Sequence, residues 1–384
     1  MSNKMFVYIS CWEHLGGAPG IGIYAFDKET GALEPLDVVR KDLSCGTTFV
    51  DERRGILYMC IEEEDHPAYR KGGGGRIIAF RPDPETGALT QIDEAATLCP
   101  NPTYMCMSAD GRYLVVSNHS SHNAVTKVAR GEDGKFHNQV VFDDSIIDLF
   151  EIHEDGTIGD ILDVAYHFGE SVRRLHPHPH CAVMSPSDSF VVVCDKGNDR
   201  IYTYSIDRER EKLCLCGEPF QDISGSSPRY CCFHPTLPYL YVNYEGIEQV
   251  GIFRYEETGK LSFVAYVNGV PADCEYPKGK GQSGILMHPS GKYVYDIFKM
   301  TASIAVFRVD EETGLLSQIQ YMQSQEERLR AFQLSPDGKF LIATCIKSGG
   351  IETFAVGPDG LLSPTGHRQE LHGAAYVTFF DPKD

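Results

Sequence analysis

"SPDGKFLIA", residues 335–343, is the stretch from which the fold can be worked out. Ser-Pro-Asp-Gly has the preferences of a type I turn, because Pro presets φ at the second position and Gly fits the fourth. Apolar and β-branched residues flank the turn, which is typical of a β-hairpin. Related stretches begin at Ser108, Ser185, His234 and His288, and a more divergent copy spans Val50–Met59. One hairpin is therefore repeated along the chain.

A second repeated feature alternates with these hairpins. It is an acidic turn followed by Gly-x-Leu or a close variant, as in "KETGAL" ending at Leu33 and "EETGLL" ending at Leu316. Seven copies follow one another at an average spacing of about 55 residues, longer than but comparable with the roughly 40–50 residues of a propeller blade. Helical patterns are nearly absent. The two features together predict an all-β fold, a seven-bladed β-propeller with four strands per blade.

The seventh hairpin is divided between the two ends of the chain. The sequence ends in "YVTFFDPKD" and begins, after three residues, with "KMFVYIS". Read from the end to the start, these form a strand, a turn and a strand. We therefore predict that pairing of the N- and C-terminal strands closes the ring, which removes exposed sheet edges, and that residues 1–384 form a single domain. Two stretches exceed the period, and residues 62–76 and 120–174 are predicted to be insertions.

The composition limits the partners and the compartment. The formal net charge is −19, from 35 Lys and Arg against 54 Asp and Glu, so nucleic acid and anionic membranes are poor partners. The 13 cysteines form no CxxC pair, and many of them lie in apolar runs. The N-terminus lacks the pattern of a signal peptide. We expect a reduced, soluble, cytoplasmic protein.

Alignment of the blades on their turns predicts where function lies. The first strand of each propeller blade lines the central channel, and the residue five positions before each turn falls at the start of that strand. These seven residues are Gly46, Thr103, His180, Arg229, Ser283, Arg330 and Tyr376. A purely structural ring does not require two arginines and a histidine. The pattern favours acid-base chemistry or substrate binding at this face.

The second strand of each blade runs antiparallel to the first and therefore ends at the same face. Those ends carry Glu62, Asn118, Asp195, Tyr244 with Glu245, and Phe298 with Lys299. Structural alternatives remain open: Asp195 as an acceptor in its turn, Glu245 as a plain partner of Arg229, and the arginines as clips between blades. The histidines in "HPHPH" (His176 to His180) could be structural or bind a metal. The metal alternative concerns His178 and His180, and because i, i+2 in a Pro-rich run is a weak ligand spacing, we expect no metal. We also expect no cofactor, because acid-base chemistry of this kind requires none.

Two stretches resemble a known family. "PHPHCAVMSPSDSFVVVCDKGNDRIYTYSID" (Pro177–Asp207) and "SSPRYCCFHP" (Ser226–Pro235) are similar to signature segments of the propeller-type lactonases. That family includes 6-phosphogluconolactonases and the carboxymuconate lactonising enzyme. The resemblance implies a catalytic cluster at His180, Arg229 and Glu245. A second arginine of the family's cluster corresponds to Lys299, which keeps the charge but loses the bidentate fork.

The family resemblance and the predicted ring of channel-lining residues together suggest a function and its site residues. The leading hypothesis is hydrolysis of a sugar or sugar-acid lactone, a small neutral or anionic molecule, with His180, Arg229 and Glu245 as catalytic residues. Substrate binding is assigned to His178, Lys299, Arg330, Asn118 and Asp195. A lactonising cycloisomerase of the carboxymuconate type and a non-catalytic propeller that binds other proteins are the alternatives, because propellers host many functions.

Overall fold

The computed structural model describes residues 5–13, 17–68, 72–169, 176–275 and 281–382. These residues form 31 β-strands and no helix, and so contain no apolar helix of membrane-spanning length. Seven sheets are arranged around an axis, and the first strands of neighbouring sheets contact one another in a complete ring. The predicted seven-bladed all-β propeller is therefore confirmed.

The blades are numbered here from the one that contains both termini, and their strands are given from the channel outward. Blade 1 comprises β31 (Ala374–Phe380), β1 (Met5–Cys11), β2 (Gly20–Phe26) and β3 (Leu33–Val39). Blade 2 comprises β4 (Cys45–Asp51), β5 (Ile56–Ile61), β6 (Arg76–Pro82) and β7 (Leu89–Ala96). Blade 3 comprises β8 (Pro102–Met107), β9 (Tyr113–Asn118), β12 (Ser145–Ile152) and β13 (Ile158–His167).

The remaining blades follow the same order. Blade 4 comprises β14 (Pro179–Met184), β15 (Val191–Asp195), β16 (Arg200–Asp207) and β17 (Lys212–Leu215), and β18 (Phe220–Gln221) also pairs with β16. Blade 5 comprises β19 (Pro228–Phe233), β20 (Tyr239–Tyr244), β21 (Gln249–Tyr255) and β22 (Leu261–Asn268). Blade 6 comprises β23 (Gln282–Met287), β24 (Tyr293–Phe298), β25 (Ser303–Val309) and β26 (Leu316–Gln323). Blade 7 comprises β27 (Leu329–Leu334), β28 (Phe340–Cys345), β29 (Gly350–Val356) and β30 (Leu362–Glu370).

The two sequence repeats correspond to two turns of each blade. The turn at Ser335 joins the first and second strands of blade 7, where Gly338 N donates to Ser335 O at 2.8 Å and Gly338 has a φ of 72°. The acidic turn at Asp27 joins the third and fourth strands of blade 1, and Gly31 N donates to Asp27 O at 2.8 Å. A positive φ favours glycine, which explains its recurrence in both turns.

The core lies between the blades, because both faces of the inner strands are buried. Side chains alternate along a strand, so Val7 packs in a cluster with Ile342 of blade 7, whereas Phe6 packs with Leu57 of blade 2. A tyrosine hydroxyl of the second strand also reaches the acidic turn of the next blade: Tyr8 donates to Gly87 O at 2.9 Å and Tyr241 to Gly314 O at 2.9 Å. Packing and hydrogen bonds thus fix each blade to the next.

The ring closes through its termini. β1 pairs antiparallel with β31, in a register from Phe6 opposite Phe380 to Cys11 opposite Ala374, so the C-terminus supplies the innermost strand of blade 1. The enlargement predicted over residues 120–174 is narrower than expected. β12 and β13 are ordinary blade strands, and the added element is the hairpin of β10 (Ala124–Arg130) and β11 (Phe136–Phe142). The predicted insertion at 62–76 connects β5 to β6, and residues 69–71 and 170–174 of the two stretches lie outside the described residues.

Candidate active site

The residues predicted to line the channel lie at equivalent places in the seven blades. Each is the second residue of an innermost strand, except Tyr376, which is the third residue of β31. Four of them line a cavity of about 400 Å³ at this end of the channel: Thr103, His180, Arg229 and Arg330. The turns fix the register of the inner strands, and the register brings these side chains to one opening.

A second ring lines the same cavity. It consists of the residue that directly follows the second strand of each blade: Trp12, Glu62, His119, Lys196, Glu245, Lys299 and Ile346. Because side chains alternate along a strand, the last strand residue points away from the channel and the next one points toward it. This position is the signal that could have identified His119 and Lys196 from sequence.

Glu245 is surrounded by three cations. Its Oε2 lies 3.0 Å from Lys196 Nζ and 3.2 Å from Arg229 Nε, and its Oε1 lies 2.9 Å from Lys299 Nζ. Burial alone would raise the pKa of Glu245, but the charges of Lys196, Arg229 and Lys299 hold it well below its usual value. One carboxylate among three cations leaves this side of the cavity positive.

The same network affects its lysines and anchors its arginine. Burial and the charge of Arg229 lower the pKa of Lys299 to about 7, although Glu245 opposes the change. Arg229 Nη1 donates to the backbone oxygen of Ser283 at 2.5 Å, and its guanidinium carbon lies 4.7 Å from the ring centroid of Tyr230. Arg229 is thus held by blades 5 and 6 together.

Arg330 and Glu62 form a second polar group across the cavity. Arg330 Nη2 donates to the hydroxyl of Tyr376 at 2.7 Å, and that hydroxyl donates to Glu62 Oε1 at 3.2 Å. Trp12 packs against the guanidinium, with its ring centroid 4.9 Å from the guanidinium carbon. Burial raises the pKa of Glu62 to about 7, although Arg330 and the Tyr376 hydroxyl oppose the rise. Glu62 can therefore exchange a proton near neutral pH.

His180 lines the same cavity as these two groups. Its ring packs edge-on against Tyr230, with centroids 5.0 Å apart, and its Nδ1 is buried without a hydrogen-bond partner among the described residues. Burial, followed by the charges of Arg229 and Lys196, lowers the pKa of His180 well below its usual value. The imidazole is consequently neutral at physiological pH, with a lone pair on one of its ring nitrogens.

Three predicted substrate-binding residues do not line the cavity. Asp195 is fully buried and accepts hydrogen bonds from His178 N at 2.8 Å and from His167 Nδ1 at 2.8 Å, so it acts as an acceptor in its turn. Asn118 donates to Asp148 Oδ2 at 2.8 Å and to Ile146 O at 3.1 Å inside blade 3. His178 lies behind His119, its ring stacked on that of His119 at 3.9 Å. Asp195 and Asn118 are the last residues of their strands, as predicted, but the residue that faces the cavity is the one that follows each of them.

The other end of the channel offers no comparable chemistry. It forms a cavity of about 530 Å³ whose lining, over the described residues, includes one carboxylate, Glu52, and no His, Lys or Arg. Tyr104, Tyr230 and Tyr376 line that cavity and separate it from the charged one, since Tyr230 contacts His180 and Tyr376 binds Arg330. Over the described residues, the histidine and cationic side chains that line the channel cavities are therefore collected at one end.

The fold and this cavity define a seven-bladed β-propeller with a polar cavity at one end of its channel, and concave sites of this kind are where proteins usually bind small molecules. The family model described as "Lactonase, 7-bladed beta-propeller" matches residues 6–379, and the chain belongs to that family. The prediction of an enzyme of the lactonase class is thereby confirmed, as is the resemblance on which it rested.

Relatives and solved structures agree with this assignment. The chain is 25% identical over 355 residues to a 6-phosphogluconolactonase of Bacillus subtilis, covering 92% of this chain and 91% of the relative. The periplasmic gluconolactonase of Pseudomonas aeruginosa superposes with a TM-score of 0.84 at 22% identity, covering 98% and 99% of the two chains. A putative 6-phosphogluconolactonase of Bacteroides fragilis gives a TM-score of 0.80 at 23% identity, covering 98% of each chain. These two structures support the fold.

Proposed function

We propose that this protein hydrolyses the lactone of a sugar acid that carries a negative charge, such as a phosphorylated aldonolactone, in the cavity lined by His180 and Arg229. The observation that carries the proposal is the cluster of Lys196, Arg229 and Lys299 around the single carboxylate of Glu245. In a chain of net charge −19, a locally positive cavity selects a small anion that the rest of the surface repels. The Bacillus subtilis relative named 6-phosphogluconolactonase supports the same class of substrate.

The reaction needs a proton acceptor and a proton donor with different pKa values. His180, kept neutral by burial and by Arg229, accepts a proton from the attacking water as the water oxygen bonds to the lactone carbonyl carbon. The bond between that carbon and the ring oxygen then breaks. Glu62, with a pKa of about 7, is partly protonated at neutral pH and donates a proton to the departing alkoxide. The products are a hydroxy acid carboxylate and one released proton.

The cations stabilise charge at two places. Arg229 and Lys299 face the cavity beside His180, where negative charge develops on the former carbonyl oxygen in the tetrahedral intermediate. Glu245 is a positioning residue, because its two oxygens keep Lys196, Arg229 and Lys299 within 3.2 Å of one carboxylate. None of these steps requires a redox cofactor.

The proposal is tested by following acid release at constant pH with two lactones. We would compare 6-phosphoglucono-δ-lactone with glucono-δ-lactone, which has the same ring without the phosphate, and subtract spontaneous hydrolysis. Charge-assisted contacts to the phosphate are worth about 1.5–3 kcal/mol, so kcat/KM should be at least about tenfold higher for the phosphorylated compound. The absence of enzymatic hydrolysis of either lactone would overturn the proposed reaction. Equal kcat/KM values would overturn the preference for an anion.

A further inference from the structure

Beside the groups of the proposed reaction, three histidines from two distant segments converge. His119 and His122 precede β10, and His178 precedes β14. One ring nitrogen from each of the three lies within 4.8 Å of the others. We propose that His119, His122 and His178 form a binding site for a divalent transition metal ion such as zinc, at the edge of the cavity.

The hydrogen bond of His178 sets its tautomer. Its Nδ1 lies 2.6 Å from the backbone oxygen of His119, and a carbonyl oxygen can only accept, so Nδ1 carries the hydrogen. The lone pair is then on Nε2. A ring N–H donated to a backbone carbonyl is the usual arrangement behind a metal-binding histidine, where it orients the ring and fixes the tautomer.

Two of the three ligands are held in place by the backbone. His178 lies between two prolines, its N donates to Asp195 Oδ1 at 2.8 Å, and its O accepts from Lys196 N at 3.1 Å. His119 N donates to Asn101 O at 2.8 Å, and the next residue, Ser120, has a φ of 67°, a left-handed conformation that is uncommon outside glycine. Both histidines are therefore ordered before a ligand binds, which lowers the entropic cost of binding.

The rings of the histidines in this cluster pack closely together. The rings of His119 and His178 are 3.9 Å apart, and His176 packs edge-on to His178 at 4.1 Å. Nε2 of His176 is buried without a hydrogen-bond partner among the described residues. An unsatisfied buried nitrogen is unfavourable, and binding of a metal or of a metal-bound water would remove that cost. His176 is therefore placed as a neighbour that can complete the site.

The position of the site relates it to the cavity. His119 and His122 both line the cavity, and His122 is exposed, so an ion can enter from that side. Zinc binds histidine nitrogen at about 2.0–2.1 Å, so the rings must draw together on binding, and three protein ligands leave a position for water or substrate. The His119 ring lies 5.7 Å from that of His180. The sequence led us to expect no metal and to consider His178 with His180, whereas the structure groups His178 with residues more than 50 positions earlier.

The site is tested by metal titration of the full-length protein without a purification tag. After removal of metals with a chelator, Zn²⁺ is titrated by calorimetry and Co²⁺ by visible absorption. We expect about one equivalent to bind with imidazole-type cobalt bands. His122→Ala should weaken binding at least about 100-fold, because it removes one of three ligands, while circular dichroism shows an unchanged fold. His137→Ala is the matched control, since His137 is an exposed histidine of the same hairpin that pairs with Asp133.

Three results would overturn the site. One is wild-type protein that binds neither ion, and another is equal affinity in wild type and His122→Ala. The third is a strong sulfur-to-cobalt charge-transfer band, because Cys181, Cys194 and Cys231 also bring their sulfur atoms within 4.8 Å of one another. The titration uses no lactone, so failure of the proposed reaction would not change its outcome.

Discussion

Substitution of Glu245 tests the electrostatics of the cavity, because the Glu245 carboxylate forms ion pairs with three of the cavity's cations. Glu245→Gln keeps the size of the side chain and removes its charge. Breaking a buried ion pair costs about 3–5 kcal/mol, and the Glu245 side chain is 30% exposed, so the lower value applies. With about 2.1 cal/mol/K of unfolding entropy per residue, a chain of 384 residues loses about 4 °C of Tm for 3 kcal/mol.

The pH dependence of this loss follows from the depressed pKa of Glu245. A carboxylate whose pKa is lower in the folded than in the unfolded protein stabilises the fold above the unfolded value and loses that effect in acid. The Tm difference between wild type and Glu245→Gln should therefore be full at neutral pH and shrink as the pH falls below about 4. Melting curves at several pH values measure it.

The effect of inorganic phosphate on Tm is a second test of the same variant. Without Glu245 the three cations lack their counter-ion, so inorganic phosphate should raise the Tm of Glu245→Gln more than that of wild type. Glu327→Gln is the control, because Glu327 pairs with Lys347 at an exposed site where ion pairs add little. An unchanged Tm in Glu245→Gln, or an equal effect of phosphate on both proteins, would refute the assigned electrostatics.

Three further outcomes follow from the structure. Deletion of residues 376–384 removes four large apolar side chains of a buried strand, and burial of each contributes about 1.5–3 kcal/mol to stability, so the truncated protein should be unfolded or aggregated. Circular dichroism and gel filtration measure this, and a truncated protein that stays folded would contradict ring closure. Lys299 loses its charge as the pH rises through about 7, so KM for an anionic lactone should rise above that pH in wild type and stay level in Lys299→Arg. If KM changes with pH in the same way in both proteins, Lys299 is not the binding cation. Glu62 loses its proton over the same range, so kcat of the wild type should fall above pH 7, whereas kcat of Glu62→Gln should be lower by about 10²-fold or more and independent of pH. If Glu62→Gln keeps the pH profile of wild-type kcat, Glu62 is not the proton donor.

The inner ring could be predicted from sequence because turns fix register. Each hairpin turn carries its own chemistry, and counting back five residues from it reaches the same point of every inner strand, which is how His180, Arg229 and Arg330 were placed at one opening. The closing pair of terminal strands was predictable for the same reason, since half a hairpin at each end leaves one arrangement without exposed edges.

The second ring was predicted only in part, with Glu62, Glu245 and Lys299 named correctly. In blades 3 and 4 the strand ends were located correctly, but the last strand residue points away from the channel and the next one points toward it, because side chains alternate along a strand. Asp195 was therefore chosen in place of Lys196, and Asn118 in place of His119. The meeting of His119 with His178 depends on the contact between blades 3 and 4, which no local pattern encodes.

The central claim is that His180 takes part in lactone hydrolysis in the charged cavity, and steady-state kinetics of His180→Ala tests it most directly. With 6-phosphoglucono-δ-lactone as substrate, or the lactone that the comparison of substrates identifies, kcat should fall by roughly 10²–10⁴-fold, the usual contribution of a general acid-base group. The protein should stay folded with a modest fall in Tm, because the substitution removes the packing of the ring on Tyr230 but breaks no hydrogen bond of Nδ1 within the described structure. A His180→Ala protein that keeps full turnover and melts at a much lower temperature would contradict the account and make His180 a structural residue.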